Sequence, residues 1–249
     1  MDDNRKGALL VILAGTCWGV ISIFINYLSA AGLGEMQISF LRQLFAVLVF
    51  ALVILVRDRP KFRIPLKDLA LLMLVGFING VLFNFLYFYT IINSRASIAV
   101  VLLYTSPVFV IILARIFFGE KITRNKFIAL VLTVTFYTLF FSFLFLIPFS
   151  GWGSLTSLCR TNPMILVVAF LMCLVTAVFA QYFFSMGLKL IESGKAAIYG
   201  ATEPIVGSLV GILIFHEESN LMKIAGIIMV IAAILLIGKS DAEQGEDMR

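Results

Sequence analysis

Charged side chains, histidine and cysteine are scarce in this sequence. Only 13% of the 249 residues are charged, and the chain has one histidine and three cysteines. A soluble domain of this size carries about a quarter charged residues, so the composition excludes an ordinary water-facing surface. Cys17, Cys159 and Cys173 form no disulfide framework and no pair with metal-ligand spacing. We therefore expect neither a metal ion nor a cofactor.

Long apolar runs make up most of the chain instead. Hydrophobic residues account for 61% of the sequence, and the mean hydropathy is +1.07. Several runs reach the ~20 apolar residues that cross a bilayer. The first, 8–28, is longer than the ~7–15 apolar residues of a signal peptide, so we expect an uncleaved helix. The sequence predicts an all-α polytopic membrane protein that contacts the lipid bilayer.

About eight transmembrane helices are predicted from these runs. Their approximate limits are 8–28, 36–56, 69–91, 96–118, 127–149, 165–188, 196–215 and 224–238, numbered here as spans 1 to 8. Residues 150–163 are predicted to form a polar loop, and 241–249 a charged tail.

Basic residues are distributed unevenly between the two ends of these spans. If the N-terminus lies inside, most lysines and arginines fall on the inner side, and only Arg95, Arg160 and Lys223 fall outside. The positive-inside rule then places both termini in the cytoplasm and the protein in the inner or plasma membrane. The net charge of +5 reflects this orientation, and no nucleic-acid partner is expected.

Span 7 contains one charged residue. Glu203 is followed directly by Pro204. A carboxylate inside hydrocarbon costs several kcal/mol or takes up a proton, and is rarely placed there without a function. Proline lacks the amide that would bond to Gly200, so an interrupted helix is expected. We predict that Glu203 couples protons or binds a substrate ammonium group; a structural acid bonded to a neighbouring helix is the alternative.

A second copy of this segment lies earlier in the chain. The matching pairs are Ala99/Ala196, Thr105/Thr202, Pro107/Pro204, Phe118/Phe215, Glu120/Glu217 and Lys126/Lys223. Spans 4 and 7, which carry them, cross the membrane in opposite directions. Inverted repeats with interrupted helices are typical of secondary transporters, whose sites lie between the halves near the midplane. Pro107 and Pro204 are the predicted hinges, with static kinks as the alternative.

Taken together, these features resemble the EamA-type transporters of the drug/metabolite transporter superfamily. The resembling residues are Trp18-Gly19, Arg42, Ser106-Pro107-Val108 with Glu120, and Glu203-Pro204-Ile205 with Glu217. The resemblance implies ten helices in two inverted repeats, and uptake or export of small metabolites. This chain is about two helices short, because span 5 looks like a fusion of the family's fifth and seventh helices. We expect a first repeat at 1–132 and a second, lacking its first helix, at 133–240.

Polar and aromatic residues inside the spans form the candidate substrate site. They are Glu203, Arg42, Trp18, Asn84, Tyr87, Tyr104, Tyr199 and Thr202. Aromatic rings with a few amides suit small amphipathic molecules, although tyrosine and tryptophan also populate membrane interfaces. Arg42 is expected either to attract an anion or an acid, or to extend to the outer interface.

Three glycine pairs in the spans have the spacing that lets helices pack closely. They are Gly15–Gly19, Gly76–Gly80 and Gly207–Gly211. We interpret all three as packing positions. Glu120 and Glu217, which follow the repeated helices, are expected to fix loops.

The sequence therefore predicts a secondary transporter of small organic metabolites that works by alternating access. Coupling would be to an ion gradient or to a counter-substrate. The second hypothesis is a truncated member of the same family that no longer transports and persists as an assembly partner. Two such chains could form a homodimer. An enzyme is not expected, because the spans contain no recognisable catalytic constellation.

Overall fold

The part of the chain that the structure describes is helical and contains no strand. A computed structural model describes residues 3–57, 66–94, 124–191, 193–217 and 228. The helices are α1 (Asp3–Gly19), α2 (Ile21–Ala30), α3 (Glu35–Arg57), α4 (Leu66–Gly76), α5 (Asn84–Asn93), α6 (Arg124–Leu146), α7 (Trp152–Thr161), α8 (Met164–Cys173), α9 (Ala180–Gly187), α10 (Ser193–Gly200) and α11 (Thr202–Leu213). Span 4, with Tyr104 and Pro107, and all of span 8 except residue 228 lie outside the described residues.

Four predicted spans are confirmed as helices long and apolar enough to cross a membrane. They are Asp3–Ala30, Glu35–Val56, Leu69–Asn93 and Met164–Gly187. Span 7 is a shorter apolar helix, Ile198–Leu213. Span 5 belongs to a pair, Thr135–Phe149 and Trp152–Thr161, that is bent by 97°. The fold is therefore an all-α bundle of membrane-spanning helices, as predicted.

The polar loop predicted at 150–163 is wrong, because most of it is helix α7. Gly151, with a φ of 58°, turns the chain into this helix. Leu155 is buried and anchors it to the bundle. The hydroxyl groups that made the segment look like a loop donate to helix carbonyls instead. One example is Thr156, whose Oγ1 donates to the Trp152 carbonyl over 2.7 Å. Serine and threonine satisfied in this way are compatible with a helix.

A tight turn makes α2 and α3 antiparallel neighbours. Gly32 has a φ of 96°, a conformation that glycine adopts without steric cost. The Leu33 amide donates to the Leu28 carbonyl over 3.2 Å, and the Gly32 amide donates to Ser29 over 2.9 Å. This pair of bonds is the Schellman motif, which satisfies the last carbonyls of α2.

Several of the crossing helices are interrupted. Span 7 breaks at Ala201, whose amide donates to Ile198 over 3.1 Å, so the interruption predicted from Pro204 is confirmed. Span 1 breaks at Val20, between α1 and α2. Spans 3 and 6 each contain a π-helical segment, Phe77–Phe83 and Leu174–Phe179. Such segments loosen the backbone hydrogen-bond ladder and are frequent near functional sites.

Close contacts between glycines and neighbouring helices hold the bundle together. Helix α1 packs against α9, α10 and α11, while α3 packs against α6 and α8. A Cβ atom on Gly19 would lie 2.6 Å from Cβ of Val206, and one on Gly76 would lie 3.0 Å from the Thr138 carbonyl oxygen. The packing role predicted for the Gly15–Gly19 and Gly76–Gly80 pairs is confirmed.

The Gly207–Gly211 pair is different. A Cβ atom on Gly211 would lie 2.7 Å from Oε2 of Glu217, not against another helix. The Glu217 amide also donates to the Gly211 carbonyl over 2.9 Å. Glu217 therefore folds back onto the end of α11, which agrees with the loop-fixing role expected for it. Gly207 is buried, and its packing role stays a prediction.

Candidate functional site

Glu203 lies where the interrupted span 7 meets span 1. A Cβ atom on Gly15 would be 3.1 Å from the Glu203 amide nitrogen, and one on Gly19 would be 2.9 Å from the Glu203 carbonyl oxygen. The backbone of Glu203 is thus pressed onto the glycine face of α1, and its side chain is half-buried. The break of span 1 at Val20 follows Gly19 directly. The break of span 7 lies beside Gly15, because a Cβ atom on Gly15 would be 3.1 Å from the Gly200 carbonyl oxygen.

Arg42 is anchored on span 3. Its Nη1 donates to Oδ1 of Asn84 over 3.2 Å, and its guanidinium carbon is 5.8 Å from the centre of the Phe88 ring. At 1.5 Å per residue, Arg42 lies about 10 Å from the start of α3 at Glu35, and Asn84 lies about 14 Å from the end of α5 at Asn93. The guanidinium is therefore held inside the bundle by Asn84 and Phe88, and its predicted roles stay predictions.

Asn84 is held rigidly by the π-helical segment that precedes it. Its Nδ2 donates to the carbonyls of Asn79 and Gly80 over 3.0 and 3.1 Å. The side chain is only 4% exposed. Because both of these bonds use the amide nitrogen, Oδ1 is left to accept from Arg42. The π-helical segment thereby fixes the position of the guanidinium.

Tyr87 completes this side of the site. It is 8% exposed, and its ring stacks on Phe83 with the centroids 5.6 Å apart. The Tyr87 hydroxyl makes no hydrogen bond to the described residues, and the same holds for Nε of Arg42. Tyr87 interacts electrostatically with both Glu203 and Arg42. The structure therefore brings Arg42, Asn84, Tyr87 and Glu203 into one neighbourhood.

Of the other predicted site residues, Tyr199 and Thr202 lie beside the break of span 7, close to Glu203, and Trp18 packs against span 6. Tyr199 is buried with Val11, Ile191 and Ala196 between α1 and α10. Thr202 donates its hydroxyl to the Tyr199 carbonyl over 2.8 Å, so its hydroxyl supports the helix break. The Trp18 ring packs on Phe184, with centroids 5.4 Å apart.

Some residues near the site were missed by reasoning from sequence. Phe88, below the Arg42 guanidinium, follows Asn84 by one helical turn, and that spacing was the available signal. Cys173 is buried and interacts electrostatically with Arg42, but nothing in its sequence context marked it. A close contact between Gly7 and Gly187 was also missed, because the two glycines lie in different spans and have no shared spacing.

The described residues contain no cluster of histidine, cysteine or acidic residues that could hold a metal ion. The chemistry available to the site is that of a carboxylate, a guanidinium, a phenol and an amide in apolar surroundings. Such groups can bind and release a polar solute or a proton.

The model of the EamA-like transporter family matches this chain twice, over residues 5–135 and 130–239. The chain belongs to the EamA-like transporter family. Family membership makes it a membrane transporter, and its apolar helices agree with a multi-pass membrane protein. The two matches meet near the boundary predicted between residues 132 and 133, which stays a prediction.

Relatives of this EamA-like transporter include two proteins of Archaeoglobus fulgidus, each described as an uncharacterized transporter. They are 23% and 25% identical to it over 92% and 93% of this chain and 96% of each relative. The pseudopaline exporter CntI of Pseudomonas aeruginosa is 28% identical over 54% of this chain and 45% of the exporter. No solved structure matches this EamA-like transporter.

The alignments with the two archaeal relatives are longer than this chain. They extend over 270 and 283 positions, whereas this chain has 249 residues. Both archaeal relatives therefore contain residues that have no counterpart here. This agrees with a family member that is shorter than its relatives.

Proposed function

We propose that this protein is a secondary transporter that moves small organic metabolites across the cell membrane by alternating access. One observation carries the proposal: Glu203 lies where the interrupted span 7 is pressed onto the glycine face of span 1, and it interacts electrostatically with Tyr87. Transporter sites are typically built from discontinuous helices near the bilayer midplane. Glu203 is about 15 Å from the outer end of α11, which is close to half of a ~30 Å hydrocarbon core.

In this proposal Glu203 carries a proton or binds the ammonium group of the substrate. The negative charge of the Glu203 carboxylate is then neutralised by the proton or the ammonium group in one state of the transport cycle, and it is exposed to water in another. The paired breaks at Val20 and Ala201 allow the halves of spans 1 and 7 to tilt while the Gly19 contact with Glu203 is kept. Pro204 acts as the hinge of span 7. The substrate reaches the site from either side as the outer or inner halves separate.

The proposal includes the orientation predicted from charge. Both termini are cytoplasmic, so α7 and the turn between α2 and α3 face outward. Gln37, in the first turn of α3, donates to the Ser150 carbonyl over 3.2 Å and to the Ser154 hydroxyl over 2.9 Å. These bonds tie the two outer segments together, as a rigid outer rim requires.

The alternative is a shortened family member that no longer transports and serves as an assembly partner. This alternative is favoured by the alignments with the two archaeal proteins, which contain residues that have no counterpart in this chain. A homodimer could then supply helices that one chain lacks.

The deciding experiment is reconstitution of the purified protein in vesicles that contain a pH-sensitive dye. Amines, carboxylic acids and amino acids are added in turn, and solute-driven proton movement is recorded. We expect movement with at least one class, and a loss of at least tenfold in Glu203→Gln because that side chain cannot carry the proton. Asp3→Asn, which alters an exposed acid, is the control and should match the wild type.

Two results would count against the proposal. Glu203→Gln vesicles with unchanged flux and pH dependence would remove the coupling role. No movement of any solute by the wild type, in vesicles shown to contain folded protein, would favour the alternative.

A further inference from the structure

Arg42 and Tyr87, which interact electrostatically, each carry a buried hydrogen-bond donor without a partner among the described residues. Within the described residues, Nε of Arg42 and the hydroxyl of Tyr87 are buried and make no hydrogen bond. Leaving such a buried donor unpaired costs about 1–3 kcal/mol, and more when the group is charged. Two unpaired buried donors would together destabilise the protein, unless a bound ligand supplies the acceptors that they lack.

The surrounding residues fix both donors. Asn84 accepts from Nη1 of Arg42, and the Phe88 ring lies against the guanidinium. Asn84, Tyr87 and Phe88 are spaced i, i+3 and i+4, so they share one face of α5. Tyr87 is itself held by stacking on Phe83. The guanidinium is thereby held at Nη1, and its Nε has no hydrogen-bond partner among the described residues.

Depth and charge are consistent with an anion at this position. Arg42 and Tyr87 each lie about 10 Å from the outer end of their helices. The groups that act electrostatically on Arg42 are the Cys173 thiol and the Tyr87 phenol. Neither the thiol nor the phenol is a carboxylate, and Arg42 forms no ion pair within the described residues. A guanidinium in this setting strongly favours a bound anion.

We propose that Arg42 and Tyr87 form a subsite for a carboxylate group of the transported molecule. The Nε–H of Arg42 and the O–H of Tyr87 each donate to one carboxylate oxygen. A pair of donors fits the two oxygens of a carboxylate, whereas a phosphate would leave more of its oxygens unpaired. The inference rests on the proposed function and specifies its substrates as organic acids, including amino acids whose ammonium group is turned toward Glu203.

The test measures binding without transport. Benzoate, benzamide and benzylamine share one ring and differ in charge, so their effects on the thermal unfolding of the purified full chain isolate the carboxylate. We expect benzoate to raise the unfolding temperature in a saturable manner and the other two to have no effect. Arg42→Gln and Tyr87→Phe should each weaken benzoate binding at least tenfold. Arg160→Gln, which alters an exposed arginine of α7, should bind benzoate as the wild type does.

Tyr87→Phe keeps the ring on Phe83 and removes only the unpaired hydroxyl, so it should fold normally. Loss of benzoate binding in this variant is therefore not a folding defect. Arg42→Lys keeps the charge without the fork of donors and should bind more weakly than the wild type.

Several results would overturn the proposal. They are no saturable effect of benzoate on the wild type, an equal effect of benzamide, equal binding of inorganic phosphate, or unchanged binding in Arg42→Gln. Benzoate binding that depends on Arg42 in a protein without flux would keep the subsite and reject the transport function. Flux that is unaltered by Arg42→Gln, with no benzoate binding, would reject the subsite and keep the transporter.

Discussion

At the residue scale, Gly19 has no room for a larger side chain. The Gly19→Ala substitution would place a methyl group 2.6 Å from Cβ of Val206 and 2.9 Å from the Glu203 carbonyl oxygen. A backbone oxygen cannot move away unless span 7 moves with it. We expect a loss of about 1–3 kcal/mol of stability, measured as a lower thermal unfolding temperature in one detergent.

The matched control is Gly153→Ala. Gly153 lies in α7 with nothing within 4 Å of the added methyl group. Alanine is favoured over glycine in a helix, so this variant should be neutral or slightly more stable. Equal unfolding temperatures for the two variants would mean that spans 1 and 7 do not approach each other this closely at Gly19.

Single residues were predictable where they break a pattern. Glu203 and Arg42 stand out because each is a charge within an apolar run, and both lie near Tyr87. Phe88 did not stand out, because the chain has 24 phenylalanines and only helix packing selects the one beneath a guanidinium. Likewise, the unpaired hydroxyl of Tyr87 depends on neighbours that no sequence pattern specifies. The roles proposed for these residues stay predictions.

At the scale of helices, the contact between spans 3 and 5 can be tested by a pair of substitutions. A Cβ atom on Gly80 would overlap the side chain of Ser142 and lie 2.9 Å from its Cα. Gly80→Ala should therefore destabilise the protein. The cost should be smaller in the Ser142→Gly background, which removes the overlapping side chain but keeps the close backbone approach.

The measurement is a double-mutant cycle of unfolding free energies. We expect a coupling within the 0.5–3 kcal/mol range found for residues in contact. Ser142→Gly also loses the bond that the Ser142 hydroxyl donates to Gly76 over 2.8 Å, and the cycle separates that loss from the relief of overlap. Additive effects of the two substitutions would show that spans 3 and 5 do not touch at this point.

Helix interruptions were predictable only where proline causes them. Pro204 indicated the break of span 7, and the structure places it at Ala201. The break at Val20 and the π-helical segments in spans 3 and 6 contain no proline. They depend on packing between spans, which the sequence does not display locally. Helix α7 was missed for a related reason, since its polar composition hides bonds between its hydroxyl groups and its own backbone.

At the scale of the whole molecule, composition carried most of the prediction. A mean hydropathy of +1.07 indicates a membrane protein, and four of the predicted spans are helices long and apolar enough to cross a membrane. Membership of the EamA-like family follows from two matches that together cover most of the chain. The number of spans is harder to predict, because span 5 is followed directly by α7, and the two helices meet at a bend of 97°. Counting apolar runs cannot distinguish a bent pair from a span followed by a loop.

Orientation of the whole molecule gives the last prediction. If the termini are cytoplasmic, α7 lies outside, and Ser157 on its exposed face is accessible there. In a Cys159→Ala background, Ser157→Cys should react with a membrane-impermeant maleimide in intact cells, above the level of the background alone. Arg5→Cys, at the exposed start of α1, should react only after the cells are opened. The positive-inside bias is the reason for this expectation. Labelling of Arg5→Cys but not Ser157→Cys in intact cells would reverse the orientation, and with it the assignment of the Arg42 carboxylate subsite to the outer half of the membrane.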